Sequence, residues 1–416
     1  MIITQDMINS SLLPIRVLHL KIDLLNSNYA TINSLTGIST DGSLNQVINS
    51  ANRRNGSLSM IADQSLFPTK MGNIWFGNMI KLWIGLDYQN SIQWMNQGIY
   101  LVKDCDFKYS SDGSSLASFT LLDLMSNLNG DLSGNLTNQT QILAQSTDLT
   151  TAIITTLTSN LIGRLNIDTV KVNGSSALVP YNLIQMPNST IYALVKQLND
   201  IYMYYEFYFD ENGYFILHKI PDMQGDPIAF DFTNINISSS YDNKMDFSLV
   251  KNAIYIWGRV DNSGTQIQWV YRNTFSVTSY ADMTAIVTKV NGDICYVTAD
   301  NLSYMWNGST WSVLDFNVNP KYNITNIGER KLVISDTNIY INDQARLRAQ
   351  YELWLNNNFG QTVTITCVPL YFLSVNTKVH MNLPSRNIVG DYRITKISTP
   401  LKIDQEMSIE MVQIFY

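Results

Sequence analysis

Apolar and polar residues alternate with a period of two through most of this chain, the pattern of strands that bury one face. Over residues 15–24 the alternation puts Leu18, Leu20, Ile22 and Leu24 on one side of a strand. A turn-rich stretch follows, with Gly37, Asp41-Gly42 and Asn55-Gly56. Met79–Leu86 and Gly98–Phe107 read as two strong strands joined near Gln89-Asn90, set among Trp75, Trp83 and Trp94. Asp112-Gly113 marks a turn before a strand over Leu116–Leu122.

A helical period breaks in at three places. One helix is predicted near Asp148–Asn160, inside a looser Ser/Thr/Asn-rich stretch over 131–185. A second follows Pro187, with Ile191, Leu194, Val195, Leu198 and Ile201 on one face and Asn188 or Ser189 as its cap. It leads into a hairpin: Tyr204–Phe209, a turn at 210–213, then Tyr214–Lys219. A third helix is expected from about Asp343 to Asn356, with Ile341, Ala345, Ala349 and Leu353 spaced by four and Gly360 beyond its end.

From Val250 the chain is β again, through Ile254–Gly258. Residues 262–319 read as an insertion holding a helical start at Asp282–Val287, a strand at Gly292–Val297 and a hairpin between Trp306 and Trp311. Asn307-Gly308 between those strands signals a type I′ turn. Thr362–Val368, Lys378–Asn382, Tyr392–Ser398 and Ser408–Ile414 close the chain with alternating strands. The organisation expected is a first β-domain over 1–130, an α+β middle domain over 131–249, and a second β-domain over 250–416 carrying the insertion.

Composition narrows the function. Only 15% of the 416 residues are charged, where ordinary soluble proteins carry about 25%. Asn makes up about a tenth of the chain, and of 34 Asp+Glu only six are Glu, none before Glu206. Such a chain disfavours helices and favours strands and turns, and its aromatic and β-branched content excludes a disordered tail. A net charge of −7 argues against gripping nucleic acid, which needs clustered cations against phosphates. The adjacent pair Arg53-Arg54 reads as a solvated turn. No apolar run reaches the length of a membrane span, and the start of the chain has no basic region of a secretory signal, so synthesis in a reducing cytoplasm is expected.

No catalytic constellation emerges. Cys105, Cys295 and Cys367 are far apart and read as buried free thiols, and His19, His218 and His380 are isolated within strands, with no paired metal-ligand spacing. Gly72–Gly77 has the glycine spacing of a phosphate loop, but Asn78-Met79 replace the Lys-Ser/Thr that hold phosphate and metal. Gly130-Asp131-Leu132-Ser133-Gly134 lacks the order and context of a nucleophile elbow. Asp104 and Asp106 share a strand face, and Glu206 faces His218 across the hairpin. A glycosidase needs two carboxylates about 5–10 Å apart across a cleft. Glu206, set among aromatic residues, is the one carboxylate worth keeping. The aromatic hairpin at 204–215 and the Trp306/Trp311 hairpin read as internal packing before carbohydrate stacking. The site expectation is therefore no catalytic, cofactor-binding or metal residues.

Several segments together resemble tailed-bacteriophage baseplate or tail hub proteins, the adaptors between tube and spike. Trp94–Val102, Leu122–Gly130 and Gly134 resemble their first β-domain, and Tyr205–Phe215 the hairpin of their middle domain. Lys251–Gly258 is similar to the strand re-entering the second domain, and Asp343–Trp354 to the helix packed outside it. Pro369-Leu370, Leu373–Asn376, Gly390–Ile397 and Met407–Ile409 resemble its closing strands. The resemblance implies a mainly β fold with an α+β middle part: two tube-type antiparallel β-barrel domains, each with a flanking helix, plus a small β insertion. It implies a homotrimer in the virion, joining a hexameric tail tube or distal tail protein to a trimeric central spike, fibre or tape-measure protein, with DNA only in transit. A tail-associated cell-wall hydrolase, a carbohydrate-binding receptor protein and a hub of a contractile injection system are the alternatives.

Overall fold

The computed structural model describes residues 3–37, 39–61, 78–109, 111, 115–136, 140–221, 223, 225–232, 238–261, 263–357, 360–402 and 404–414. The chain opens with a helix that the alternation did not announce, α1 (Gln5–Ser11), capped by the Thr4 hydroxyl, which accepts from the Met7 N–H. Seven strands follow: β1 (Leu18–Leu25), β2 (Thr31–Gly37), β3 (Ser39–Val47), β4 (Arg54–Ile61), β5 (Met79–Tyr88), β6 (Ser91–Tyr109) and β7 (Ser115–Asp123). They pair antiparallel in the order β3-β4-β7-β6-β5-β1-β2. Gln89 and Asn90, both at positive φ (47° and 65°), form the two-residue turn between β5 and β6. β2 and β3 are separated by one residue yet pair at opposite ends of this run, so the first half curls back toward itself. The expected Asp112-Gly113 turn, Gly72–Gly77 and Trp75 lie outside the described residues.

The middle part comprises β8 (Gln141–Leu143), α2 (Leu149–Ser159), β9 (Leu165–Ile167), β10 (Lys171–Val172), β11 (Ser175–Ser176), β12 (Leu183–Gln185), α3 (Ile191–Asn199), β13 (Tyr205–Phe209) and β14 (Phe215–Lys219). Asp148 caps α2 by accepting from the Thr151 N–H at 2.7 Å. Thr190 caps α3, where Asn188 or Ser189 was expected. Asn188 sits in the left-handed region at φ 70°, a turn conformation rather than the extended one a cap adopts. Ile153 and Leu157 of α2 and Leu194, Val195 and Leu198 of α3 pack with Phe209, Phe215 and Leu217 and lean on Leu25, Met79, Ile99 and Leu101 of the large sheet.

β15 (Phe230–Asp231) and β16 (Ser238–Lys244) return to that sheet, and the chain then leaves it for a six-stranded module. This module contains β17 (Ala253–Val260), β18 (Gln266–Val277), α4 (Tyr280–Thr284), β19 (Asp293–Val297), β20 (Leu302–Trp306), β21 (Trp311–Val313), α5 (Ile324–Ile327), β22 (Lys331–Ser335) and α6 (Asn342–Asn357). Ala345, Ala349 and Leu353 of α6 are fully buried against Ile254, Ile256 and Tyr271. The strand at 253–260 and the helix at 342–357 thus belong to the excursion, not to the second half of the large sheet as expected. Both neighbours of β17, antiparallel β18 and parallel β22, lie inside the excursion, which occupies the whole interval between β16 and β23 rather than 262–319 alone. β23 (Thr362–Cys367), β24 (Lys378–Leu383), β25 (Ile388–Pro400) and β26 (Met407–Gln413) complete the chain.

The protein is mainly β with an α+β middle part, as the sequence implies, but the two β-domains are not separate barrels. The far half of β25 pairs with β3, Ser398 opposite Asn45, and this junction fuses both halves into one thirteen-stranded sheet. No closed barrel occurs among the described residues.

The halves repeat one strand pattern. The ladder Gly42–Leu58–Phe119 of the first recurs as Tyr241–Ile365–Ile409 in the second. The irregularity between Ser39 and Asp41 recurs between Ser238 and Ser240, and that between Val102 and Asp104 recurs between Ile394 and Lys396. Gly98 (φ 120°) and Gly390 (φ 123°) occupy equivalent positions, each two residues before a fully buried tyrosine, Tyr100 or Tyr392.

Candidate functional site

The one carboxylate singled out in the sequence lies where all three parts of this architecture meet. Pairing of β13 with β14 sets Glu206 opposite His218, with Oε1 2.8 Å from the His218 Nε2. The other carboxylate oxygen faces Arg53 Nη1 at 3.5 Å, from the turn between β3 and β4. Asn376 Nδ2, just before β24, donates to Glu206 as well, and Asn376 Oδ1 accepts from Arg393 Nε of β25 at 2.8 Å. Arg53 lies over the Tyr208 ring at 3.7 Å. Its neighbour Arg54 donates from Nη2 to the Phe209 carbonyl at 2.7 Å and from its backbone to Asp123 Oδ2 at 3.0 Å. The solvated Arg53-Arg54 turn expected from sequence is therefore corrected: the two residues are 4% and 6% exposed, because the β13–β14 hairpin lands on them.

Electrostatics fits a clamp. Burial pushes the Glu206 carboxyl up, but the His218 hydrogen bond and the charges of Arg53 and Arg393 outweigh it and hold the group below the usual glutamate range. A general acid in glycoside hydrolysis needs the opposite shift, so that it still carries a proton to give. Nearby, Asp123 is driven by burial up to about 6, against the lowering hydrogen bonds and charge of Arg54.

The remaining candidates stay apart. Asp104 and Asp106 lie on the exposed side of β6, and Asp106 meets Lys108 at 3.5 Å. His19 meets Asp87 at 2.8 Å and His380 meets Asp391 at 2.7 Å, each on a neighbouring strand. Among the described residues, no group of three His, Cys, Asp or Glu is placed to hold a metal. Cys295 and Cys367 are buried free thiols pushed up to about 12 by burial, whereas Cys105 is only half-buried. Ser133 donates to the Asn127 carbonyl at 3.1 Å. Trp306 and Trp311 pair across β20 and β21 with ring centroids 5.5 Å apart, closing a four-residue loop rather than a two-residue type I′ turn. The Asn307 side chain shapes that loop by accepting from the Ser309 and Thr310 N–H groups.

A feature that sequence alone did not reveal spans the fused sheet. On the face opposite the core, Thr366, Ser408, Ser398, Asn45 and Asn55 form one cross-strand row, and Ser43, Ser57 and Thr120 another. Asp41, Asp104, Asp106, Asp242 and Glu410 share that face with Lys108, Lys244 and Lys396, so hydroxyls and amides dominate and acids exceed bases. The other face of these strands carries Leu44, Leu58, Phe119, Ile365, Ile397 and Ile409, all in the main core. Period-two polarity was visible within each strand; alignment into continuous rows needed the register.

Comparison with known proteins supports the fold. A family model described as a domain of unknown function (DUF5048) matches residues 319–416. None of the curated proteins is similar in sequence. A tail protein from Neisseria meningitidis MC58 superposes with a TM-score of 0.58 at 8% identity, over 95% of this chain and 96% of that one. The 43 kDa tail protein of prophage MuSo2 from Shewanella oneidensis gives 0.53 at 12% identity, over 95% and 98%. A chain of the Francisella PdpA–VgrG complex gives 0.51 at 12% identity, over 96% of this chain and 58% of that one. The chain has the fold of phage tail proteins.

Proposed function

We propose that this chain is a tail or baseplate hub of a virion, a homotrimer that joins a hexameric tail tube to a trimeric central spike or fibre and forms part of the channel through which DNA leaves. The internal repeat carries this reading: two equivalent sheet halves per chain let three copies offer six equivalent faces to a sixfold tube and three to a spike. The polar face suits the channel wall, since hydroxyls and a small excess of acids do not trap phosphates as clustered Lys and Arg would. The hub acts by structure, without a catalytic step. An ionised Glu206 bound into a three-part clamp supports this over the hydrolase alternative, for which Glu206→Gln should abolish clearing of peptidoglycan.

The likeness to a chain of the Francisella PdpA–VgrG complex favours one second setting, a contractile injection particle in which the same hub passes no genome. Electron microscopy of the purified chain with and without its tube protein tests the reading. Threefold rings with six peripheral lobes are expected, and particles without rotational symmetry would contradict it.

A further inference from the structure

A cavity of about 80 Å³ opens where the turn between β3 and β4, the β13–β14 hairpin and the segment at 371–375 meet. Buried polar side chains line it: Gln46, Arg53, Arg54 and Gln97 are 8%, 4%, 6% and 5% exposed. Burying a cation is costly unless its N–H groups find acceptors and its charge a partner. Here most of them do not. Arg53 stacks on Tyr208 and meets Glu206 at 3.5 Å, but no described residue accepts a hydrogen bond from its guanidinium. In the Arg54 side chain only Nη2 has an acceptor among the described residues, the Phe209 carbonyl. Gln46 faces Arg54 directly across the β3–β4 ladder; its Oε1 accepts from the Val375 N–H at 3.4 Å, and its Nε2 has no acceptor among the described residues. Gln97 differs, since its Nε2 is already donated to the Met95 and Tyr371 carbonyls. The carboxylate among the lining residues, Glu211, is already partnered. Two cations with unused donors therefore share this space. Burial pushes the Arg53 guanidinium below its ordinary range against the opposing charge of Glu206, which marks the same deficit of negative charge.

We propose that this cavity binds one small oxyanion, a phosphate or a carboxylate, through the unused N–H groups of Arg53, Arg54 and Gln46. A guanidinium presents its donors as a planar fork that matches the oxygens of either group. Stacking on Tyr208 covers a face of the Arg53 fork and leaves its edge to donate. The space equals that of two to three waters at about 30 Å³ each, enough for a single small ion and too little for a nucleotide or a sugar. Gly98 helps to keep it open, because a Cβ there would come within 2.8 Å of Arg54 Nη1. Water could meet the donors but would leave the charge unbalanced. An ion bound here joins the β3–β4 turn to the hairpin through Arg53, which already holds Tyr208 and Glu206. The joint between the first sheet half and the middle part thereby becomes an anion-dependent lock. This site stands on the cavity and its donors, independent of the hub reading.

Titration of the full chain tests it, with inorganic phosphate in one arm and acetate in the other, at neutral pH and an ionic strength held constant with sodium chloride. Calorimetry should show saturable binding of one ion per chain, and the melting temperature should rise by a few degrees along the same curve, as for any ligand that binds only the folded state. The arm with the tighter binding tells whether the site prefers phosphate or carboxylate. Gln46→Glu puts a built-in carboxylate opposite Arg54. It should raise the melting temperature without added anion and weaken binding of the added ion at least tenfold. Arg53→Lys, which keeps the charge and loses the fork, should also weaken binding at least tenfold. Absence of saturable binding in both arms, or wild-type affinity retained in the folded Gln46→Glu chain, would overturn the site. Either result leaves the hub reading standing, since that reading is tested by native mass and ring formation.

Discussion

Glu206 of the middle part and Arg53 of the first sheet half meet at 3.5 Å, and through Asn376 the same carboxylate reaches Arg393 of the second half. One side chain therefore fixes how three segments distant in sequence sit against each other. Because Arg53 is buried, removing its counter-charge leaves a cation without compensation. Glu206→Gln should lower unfolding stability by about 3 kcal/mol in urea titrations. A loss under ~1 kcal/mol would show that Tyr208 and solvent suffice for Arg53.

Acid dependence separates two buried carboxylates. Glu206 titrates below its ordinary value in the folded chain, so its contribution is present above about pH 4.3 and is lost as pH falls through the folded value. Asp123 has the opposite sign: raised from 3.8 to about 6, it favours the folded state fully below the ordinary value and loses that contribution as pH rises through about 6. Asp123→Asn should flatten the pH dependence of urea midpoints between about 4 and 6, and Glu206→Gln should flatten it below about 4.3. An unchanged Asp123→Asn profile would contradict the buried, protonatable Asp123.

Equivalent glycines should respond unequally to alanine. Gly98 and Gly390 share a positive φ, so either substitution strains the backbone by about 1–3 kcal/mol. A Cβ at Gly98 would also come within 2.8 Å of the Arg54 guanidinium, whereas at Gly390 the nearest atom is the Gln413 amide nitrogen at 3.3 Å. Gly98→Ala should be the more damaging by thermal denaturation.

Charge on the polar face should control contact with DNA. Ser57→Lys with Ser398→Lys adds two cations per copy to the rows of hydroxyls, six in a trimer. DNA retention by the assembled protein should then appear in low-salt gel-shift assays and vanish as salt rises. Wild-type protein that already binds DNA tightly would contradict a non-trapping channel wall.

Much of this fold was legible along the chain because alternation survives wherever one strand face is buried and the other is polar. β5, β6, β7, β14 and β23–β26 follow it, and α2, α3 and α6 follow their helical spacing. The β2–β4 region was not legible, because Thr, Ser, Asn and Gly occupy both faces there and read as turns. β17 was assigned to the wrong sheet, since a strand's own pattern says which face is buried but not which neighbour completes its ladder. Glu206 was noticed for its aromatic surroundings, yet its partners Arg53, Asn376 and Arg393 depend on contacts that no local pattern carries. Arg53-Arg54 misled for the same reason: two adjacent arginines before Asn-Gly look solvated until a hairpin from elsewhere covers them.

The most direct test of the hub reading is the native mass of the purified chain, measured alone and after mixing with its tail-tube protein. The account predicts a species of three times 47.2 kDa that binds the tube end as a closed ring. A strict monomer that forms no ring in either condition would contradict it.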